Sequence, residues 1–301
     1  MSKFLDEIFD KKEKVIGESS RKLYKANLLK LNNGNDITNL LFLKKVEDIM
    51  KIIEHLKPTT QRSYIIAICS ILNGNKEYQK LYEKYFDILA NLNNSLKVNT
   101  DKSDTQKKNW IEINDIQTIY DTLKKAVVKK ANNKKQYDDL LDFVILSLYF
   151  LQAPRRNIDY TLMKISSNMD NSKFNYLDLI KRQFIFNNYK TKGAYNQVII
   201  DIDDDLFKNI VMYLKNKNDF KKIKNKSYDF YFLTDYNNEP FTNSNHMTKK
   251  LNNIFGANVS SSLLRNIYLS NKYSKVINEL TEDTKDMGTS VGTAMNNYIK
   301  K

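Results

Sequence analysis

Asp138-Asp-Leu-Leu-Asp-Phe-Val-Ile-Leu-Ser-Leu-Tyr-Phe-Leu151 is apolar on almost every side, and Gln152-Ala-Pro154 follows it at once. A helix that is hydrophobic all round has to be buried, so this stretch predicts the central helix of a domain. Pro154 has no N–H and restricts the residue before it, so the helix is expected to end at Ala153-Pro154. Downstream, residues 176–180, 184–189 and 197–202 are short runs rich in β-branched and aromatic side chains and read as strands. Lys190-Thr-Lys-Gly-Ala-Tyr-Asn196 joins the last two, with Gly193 suited to a hairpin turn. Residues 206–215, 244–255, 260–273, 275–280 and 291–299 read as helices. The expected class is mainly α with a small antiparallel β-sheet.

Upstream the pattern is helical throughout. Leu23, Tyr24, Ala26, Leu28 and Leu31 share a broad face, and Asn32-Asn-Gly34 stops that helix. Residues 46–56 form another, ended by Lys57-Pro58. Thr59 or Thr60 is placed to cap a third, which carries Tyr64, Ile65, Ile68, Ile71 and Leu72, and residues 77–92 form a fourth. Residues 97–108 are polar and aperiodic and read as a linker. Two domains are therefore expected, 1–96 and 109–301, with Asn114 capping the first helix after Trp110.

The 301 residues carry a net charge of +14 and a pI near 9.4, which favours polyanions, nucleic acid first and an acidic membrane surface second. Residues 1–100 hold 17 basic against 12 acidic side chains and the rest 32 against 23, so both halves offer surface to such a partner. Cys69 is the single cysteine and lies in an apolar run, which excludes an internal disulfide and reads as a small buried hydrophobe. With His55 and His246 far apart, the composition argues against a structural zinc. The N-terminus lacks the apolar core of a signal peptide, and the apolar stretch at 140–151 is too short to span a bilayer. A soluble intracellular protein is expected.

Several side chains stand in settings that suit phosphate chemistry. Arg156 follows the helix-breaking Pro154, and Asp159 lies three residues on, one helical turn away, placed to hold its guanidinium by a forked pair. Arg155 competes for that role, and the alternative is a surface ion pair at a helix start. Lys190 sits on the expected hairpin, where a lysine is placed to protonate a leaving oxygen, with Lys192 close by; the alternative is a solvated turn residue. Arg265 lies among Leu263, Leu264 and Ile267, and a cation beside buried surface needs a partner or an anionic ligand. Three serines open its helix. Tyr298 is uninformative by itself.

Taken in order, these segments resemble the tyrosine recombinases, the phage-integrase family. Arg156-Asn-Ile-Asp159 is similar to its Arg-x-x-Glu/Asp box, Lys190-Thr-Lys-Gly193 to its hairpin lysine, Ser262-Leu-Leu-Arg265 to its His-x-Leu-Arg box, and Met287-Gly-Thr289 to its Leu-Gly-His box. Tyr298 follows Thr289 by the nine residues that the pattern requires. Ser262 and Thr289 stand where the family has histidines. A hydroxyl donates a hydrogen bond to phosphate but is no base at neutral pH, and His246 is at best a substitute from a neighbouring helix. The Pro-Arg-Arg-Asn-Ile-Asp-Tyr variant is similar to relatives in large DNA viruses and their mobile elements.

The resemblance implies an N-terminal helical core-binding (SAM-like) domain and a C-terminal tyrosine-recombinase catalytic domain. It implies site-specific cleavage and rejoining of double-stranded DNA through a 3′-phosphotyrosine on Tyr298, with Arg156 and Arg265 on the phosphate, Lys190 as proton donor, and Ser262 and Thr289 as hydrogen-bond donors. It further implies a homo-tetramer on two duplexes, with neither metal, ATP nor other cofactor. The missing histidines leave open a DNA-binding relative without catalysis, and the shared chemistry leaves open a type IB topoisomerase-like enzyme.

Overall fold

The computed structural model describes residues 3–13, 15–96, 101–224 and 227–300. The chain divides into two compact units, Met1–Lys102 and Ser103–Lys301. Of the expected linker, residues 97–100 lie outside the described residues. The part from Asp104 onward is helical rather than aperiodic, because Ser103 and Gln106 form a reciprocal capping box.

The first unit is all-helical. Helix α1 (Lys3–Asp10) is followed by α2 (Glu18–Leu31), α3 (Val46–Ile53), α4 (Pro58–Leu72) and α5 (Gln79–Ser95). Helix α2 ends where expected. Asn33 and Gly34 take positive φ, and the Gly34 N–H returns to the Leu29 carbonyl at 2.8 Å. Helix α4 starts a residue or two earlier than expected. Pro58 opens it with its φ preset for a helix, so neither Thr59 nor Thr60 acts as cap. Leu28 and Leu31 of α2 pack with Ile65, Ile68 and Leu72 of α4 in one core. Tyr85 is fully buried there, and its hydroxyl donates to the Leu43 carbonyl at 2.9 Å. Cys69 is buried in the same core, and burial pushes its thiol up to about 11.

The second unit is built on the stretch that opened the sequence. After α6 (Asp104–Asn109) and α7 (Ile113–Ala126), helix α8 (Lys134–Phe150) buries Leu140, Leu141, Phe143, Val144, Ile145, Leu146 and Leu148 completely. Helix α7 begins before Asn114, with Glu112 at the cap position, so Asn114 is not the cap. The chain continues through α9 (Asn157–Tyr160), β1 (Lys164–Ser166), β2 (Tyr176–Asp178), β3 (Gln183–Phe186), α10 (Lys192–Tyr195), β4 (Val198–Asp201) and α11 (Asp204–Leu214). Strand β5 (Asp229–Tyr231), α12 (Ser244–Phe255), α13 (Ser261–Asp286) and α14 (Val291–Thr293) complete it. Helices α7, α11 and α12 surround α8.

The sheet is mixed rather than antiparallel. Its order is β4-β3-β2-β1-β5, with β1 and β2 parallel and the other pairs antiparallel. The three expected strands are β2, β3 and β4. The two unexpected ones, β1 and β5, are three residues each, too short to show alternation, and they exist by non-local pairing, β1 with β2 and β5, and β5 with β1. Residues 260–280 also differ from expectation, since α13 runs unbroken to Asp286. No glycine or proline interrupts it before Gly288, which takes φ 67° just past its end. Gly193 lies within α10, and the positive-φ position of that connection is Asn196. Among the described residues no helix is long and apolar enough to cross a membrane.

One buried cation stands apart from both boxes. Lys217 is 4% exposed, and its Nζ donates to Thr234 Oγ1 at 2.5 Å beside the Tyr213 ring. Burial pushes its pKa down to about 7 from the ordinary 10.5, against the opposing pull of the Asp219 and Asp235 carboxylates. Between these values the unfolded chain binds more protons than the folded one, so stability rises with pH across that window. Lys217→Met is expected to flatten this rise, which equilibrium urea unfolding at pH 7 and pH 9 measures.

Candidate functional site

The chain leaves α8 through half-buried residues 150–152 and exposed Ala153 and is buried at Asn157, whose polar groups must be satisfied there. Asn157 does most of this work. Its side-chain oxygen accepts from the Tyr149 hydroxyl of α8 at 2.6 Å. Its amide nitrogen donates to Thr248 Oγ1 (2.9 Å) and the Ser244 carbonyl (3.4 Å) on α12, and its backbone N–H to Ser261 Oγ (3.3 Å) on α13. Three helices thus converge on one buried asparagine, and the two residues before it are Arg155 and Arg156.

Asp159 is 1% exposed and pairs with Arg155, not Arg156, at 3.0 Å from Nε to Oδ2. The expected pairing of Arg156 assumed helical geometry from 156 to 159. Arg156 instead precedes the helix, at φ −72° and ψ 146°, so the one-turn rule does not apply to it. Arg155 is further fixed by stacking, its guanidinium 3.8 Å from the Phe186 ring centroid and 5.2 Å from that of Tyr189. Burial raises the Asp159 pKa and outweighs the opposing charges of Arg155 and Arg156. Its Oδ1 has no hydrogen-bond partner.

Arg156 and Arg265 are both half-buried, and among the described residues neither has an ion pair or side-chain hydrogen bond. They line one hollow of about 270 Å³ together with Arg155, Asp159, Tyr189 and Thr191. Arg265 arrives from the second turn of α13, whose first turn is capped by Ser260. Three guanidinium groups share this hollow, and the one carboxylate there is engaged by Arg155. The arrangement leaves the donors of two arginines for an anion.

The loop after β3 is held against the arginine turn by a second buried asparagine. Asn175 Oδ1 accepts the N–H groups of Asn187 (2.9 Å) and Asn188 (2.8 Å). Its Nδ2 donates to the Asp159 carbonyl (2.7 Å) and the Asn188 carbonyl (3.0 Å). The Tyr189 hydroxyl closes the loop on the Asn196 carbonyl at 2.7 Å. Lys190 is exposed between the hollow-lining Tyr189 and Thr191 and is not itself part of the lining.

The remaining candidates lie elsewhere. Ser262 is exposed, and the serine that engages the arginine turn is its neighbour Ser261. Thr289 is at the far end of α13, its N–H on the Thr284 carbonyl at 2.8 Å. Tyr298 follows α14 in a single π-helical turn, Ala294–Tyr298, and is 60% exposed. None of the three lines the hollow. His246 is exposed, edge-on to Phe241, and also outside it. Asn157 and Asn175, which position the site, carried no signal in the sequence beyond following Arg155-Arg156 and opening a strand.

Among the described residues no group of three or more histidine, cysteine or acidic side chains is placed to hold a metal ion. No family model matches the chain, and no curated protein or solved structure matches it.

Asn157→Ala strips the acceptor from the buried Tyr149 hydroxyl and removes the side-chain tie from Asn157 to Thr248 and the Ser244 carbonyl on α12. It is expected to cost at least about 1–3 kcal/mol of stability in urea unfolding.

Proposed function

We propose that this chain cleaves and rejoins double-stranded DNA in the manner of a tyrosine recombinase. The observation that carries the reading is the convergence of Arg156 and Arg265, from segments far apart in sequence, on one hollow where, among the described residues, neither makes an ion pair or a side-chain hydrogen bond. The net charge of +14 supports a polyanion as substrate. The two guanidinium groups bind the non-bridging oxygens of one phosphodiester, where charge grows in the transition state. The Tyr298 phenol oxygen attacks phosphorus, the bond to the 5′ oxygen breaks, and that oxygen takes a proton from Lys190 while the phenol proton passes to solvent. The product is a 3′-phosphotyrosyl link, and attack by a second 5′-hydroxyl reverses the step on a new partner. The bond energy is retained in the covalent link, so the cycle needs neither ATP nor metal.

Lys190, exposed on the loop beside the hollow, is free to swing over a bound strand. The first unit provides a second basic surface for the duplex, and exchange between two duplexes engages four copies. The exposure of Tyr298 outside the hollow favours a second reading, a relative that binds DNA without cutting it.

A pool of nicked duplexes of randomised sequence, quenched with detergent, separates the two readings. The wild type is expected to yield a covalent protein–DNA adduct and Tyr298→Phe none, with Arg265→Gln lower by about 10²–10³. Salt-sensitive binding with no adduct from the wild type would establish the non-cutting relative.

A further inference from the structure

A set of lysines outside both boxes gathers at the other end of α8. The arginine hollow follows the last turn of that helix, whereas Lys129 and Lys130 precede its first. With 17 residues at about 1.5 Å each, α8 separates its two ends by about 25 Å. The connection that carries Lys129 and Lys130 is fixed by Asn216, just past the end of α11. Asn216 Nδ2 donates to the Lys129 carbonyl (3.0 Å), and its Oδ1 accepts the Ala131 N–H (2.7 Å). Lys215 lies next to it in sequence and is exposed. The buried Lys217 that follows reaches Thr234, which also bonds the Tyr137 hydroxyl in the first turn of α8 at 3.2 Å. Lysines from two distant stretches are thus fixed around one end of the helix.

The next segment is a 3-10 helix, Asn218–Lys224. Such a helix turns once in about three residues, so side chains three apart share a face. Phe220 and Ile223 pack against the core, and Lys221 and Lys224, one step further on, are exposed. The carboxylates of this region are already engaged. Asp219 accepts from Lys222 (2.6 Å) and from Asn238 Nδ2 (2.8 Å). Asp235 accepts the N–H groups of Asn237 and Glu239, each at 2.9 Å. Lys134 and Lys135, in the first turn of α8, are paired with Asp138 and Asp139. By contrast, among the described residues Lys129, Lys130, Lys215, Lys221 and Lys224 make no ion pair or side-chain hydrogen bond.

We infer that this lysine surface is a second seat for the phosphate backbone of duplex DNA, remote from the arginine hollow and without chemistry of its own. Charge complementarity selects the occupant. Unpaired cations on a fixed backbone, with Asp219 and Asp235 engaged elsewhere, suit a regular row of phosphates. An anionic bilayer suits the surface less. Phe220 and Ile223 turn inward, which leaves Val128 and Tyr236 as the exposed large apolar side chains of the neighbouring segments. That is less than the apolar face an interfacial helix lays into a membrane. The choice of duplex DNA rests on the proposed function, but the phosphotyrosine step does not enter it. The surface holds a stretch of duplex outside the one at the arginines.

The salt dependence of binding tests this, with the full chain and intact duplexes of randomised sequence. One variant combines Lys130→Ala, Lys221→Ala and Lys224→Ala, all exposed and none in the hollow. Each phosphate contact is worth about 0.9 in the slope of log K against log salt. The slope is therefore expected to become shallower by about 2–3, with binding near 0.1 M salt weaker by at least about tenfold. Lys130→Arg, Lys221→Arg and Lys224→Arg together are expected to restore it. A control removes equal charge from α13, where acidic side chains outnumber basic ones from Lys272 to Asp286. Its substitutions, Lys272→Ala, Lys275→Ala and Lys285→Ala, are expected to move the slope by less than about 1. A slope unchanged in the first variant, or lowered equally by the control, would overturn the second seat. Lost binding to phosphatidylserine vesicles with duplex binding intact would assign the surface to a membrane instead. A wild type that binds duplex but forms no adduct removes the phosphotyrosine reading and leaves this surface standing. A wild type that binds no duplex removes both.

Discussion

The second unit depends on how the chain that leaves its buried helix is anchored back to the core. From Leu140 to Tyr149 helix α8 is buried on almost every side, and the chain that follows is anchored in the core at Asn157, after half-buried residues 150–152 and exposed Ala153. Proline breaks the helix, and Asn157 then meets the polar demands of α8, α12 and α13 at one point. The consequence is positional. Any residue just before Asn157 is fixed relative to the start of α13, and those residues are arginines. Asn175 repeats the device one layer away, tying the loop of Lys190 to the backbone of Asp159.

Electrostatics around this point divides the arginines into two kinds. Arg155 lies against the rings of Phe186 and Tyr189 and is paired with the Asp159 carboxylate, whose pKa burial raises, so it acts as part of the scaffold. Arg156 and Arg265 are half-buried and among the described residues make no ion pair, the nearby Asp159 being engaged by Arg155 while also feeling the Arg156 charge. Two such cations in one hollow repel each other, and an anion relieves both the repulsion and the lost hydration. This asymmetry, one arginine paired and two not, is what supports the proposed anion site.

Much of the secondary structure was legible because the signals were local. The all-round apolarity of α8, the Asn-Gly stop of α2 and the β-branched runs of β2, β3 and β4 each appear within a few residues. What was misread was non-local or depended on a local geometry assumed too early. Strands β1 and β5 are defined by each other. The pairing of Asp159 was assigned by helical spacing to a residue that is not yet in the helix. The two helices expected across residues 260–280 are one, because a polar stretch without glycine or proline contains nothing to end a helix.

The candidate residues were chosen by type and order, and of them only Arg156 and Arg265 line the hollow. The sequence by itself determined how charged the chain is, which stretch forms its buried helix and where that helix must break, since all of these follow from composition and short-range pattern. Only the tertiary structure decided that Arg156 and Arg265 meet, that Arg155 takes the carboxylate, and that α13 carries Tyr298 away from them. Those outcomes depend on where buried polar groups find partners across the core and on how far an uninterrupted helix extends, and neither quantity is local to any motif.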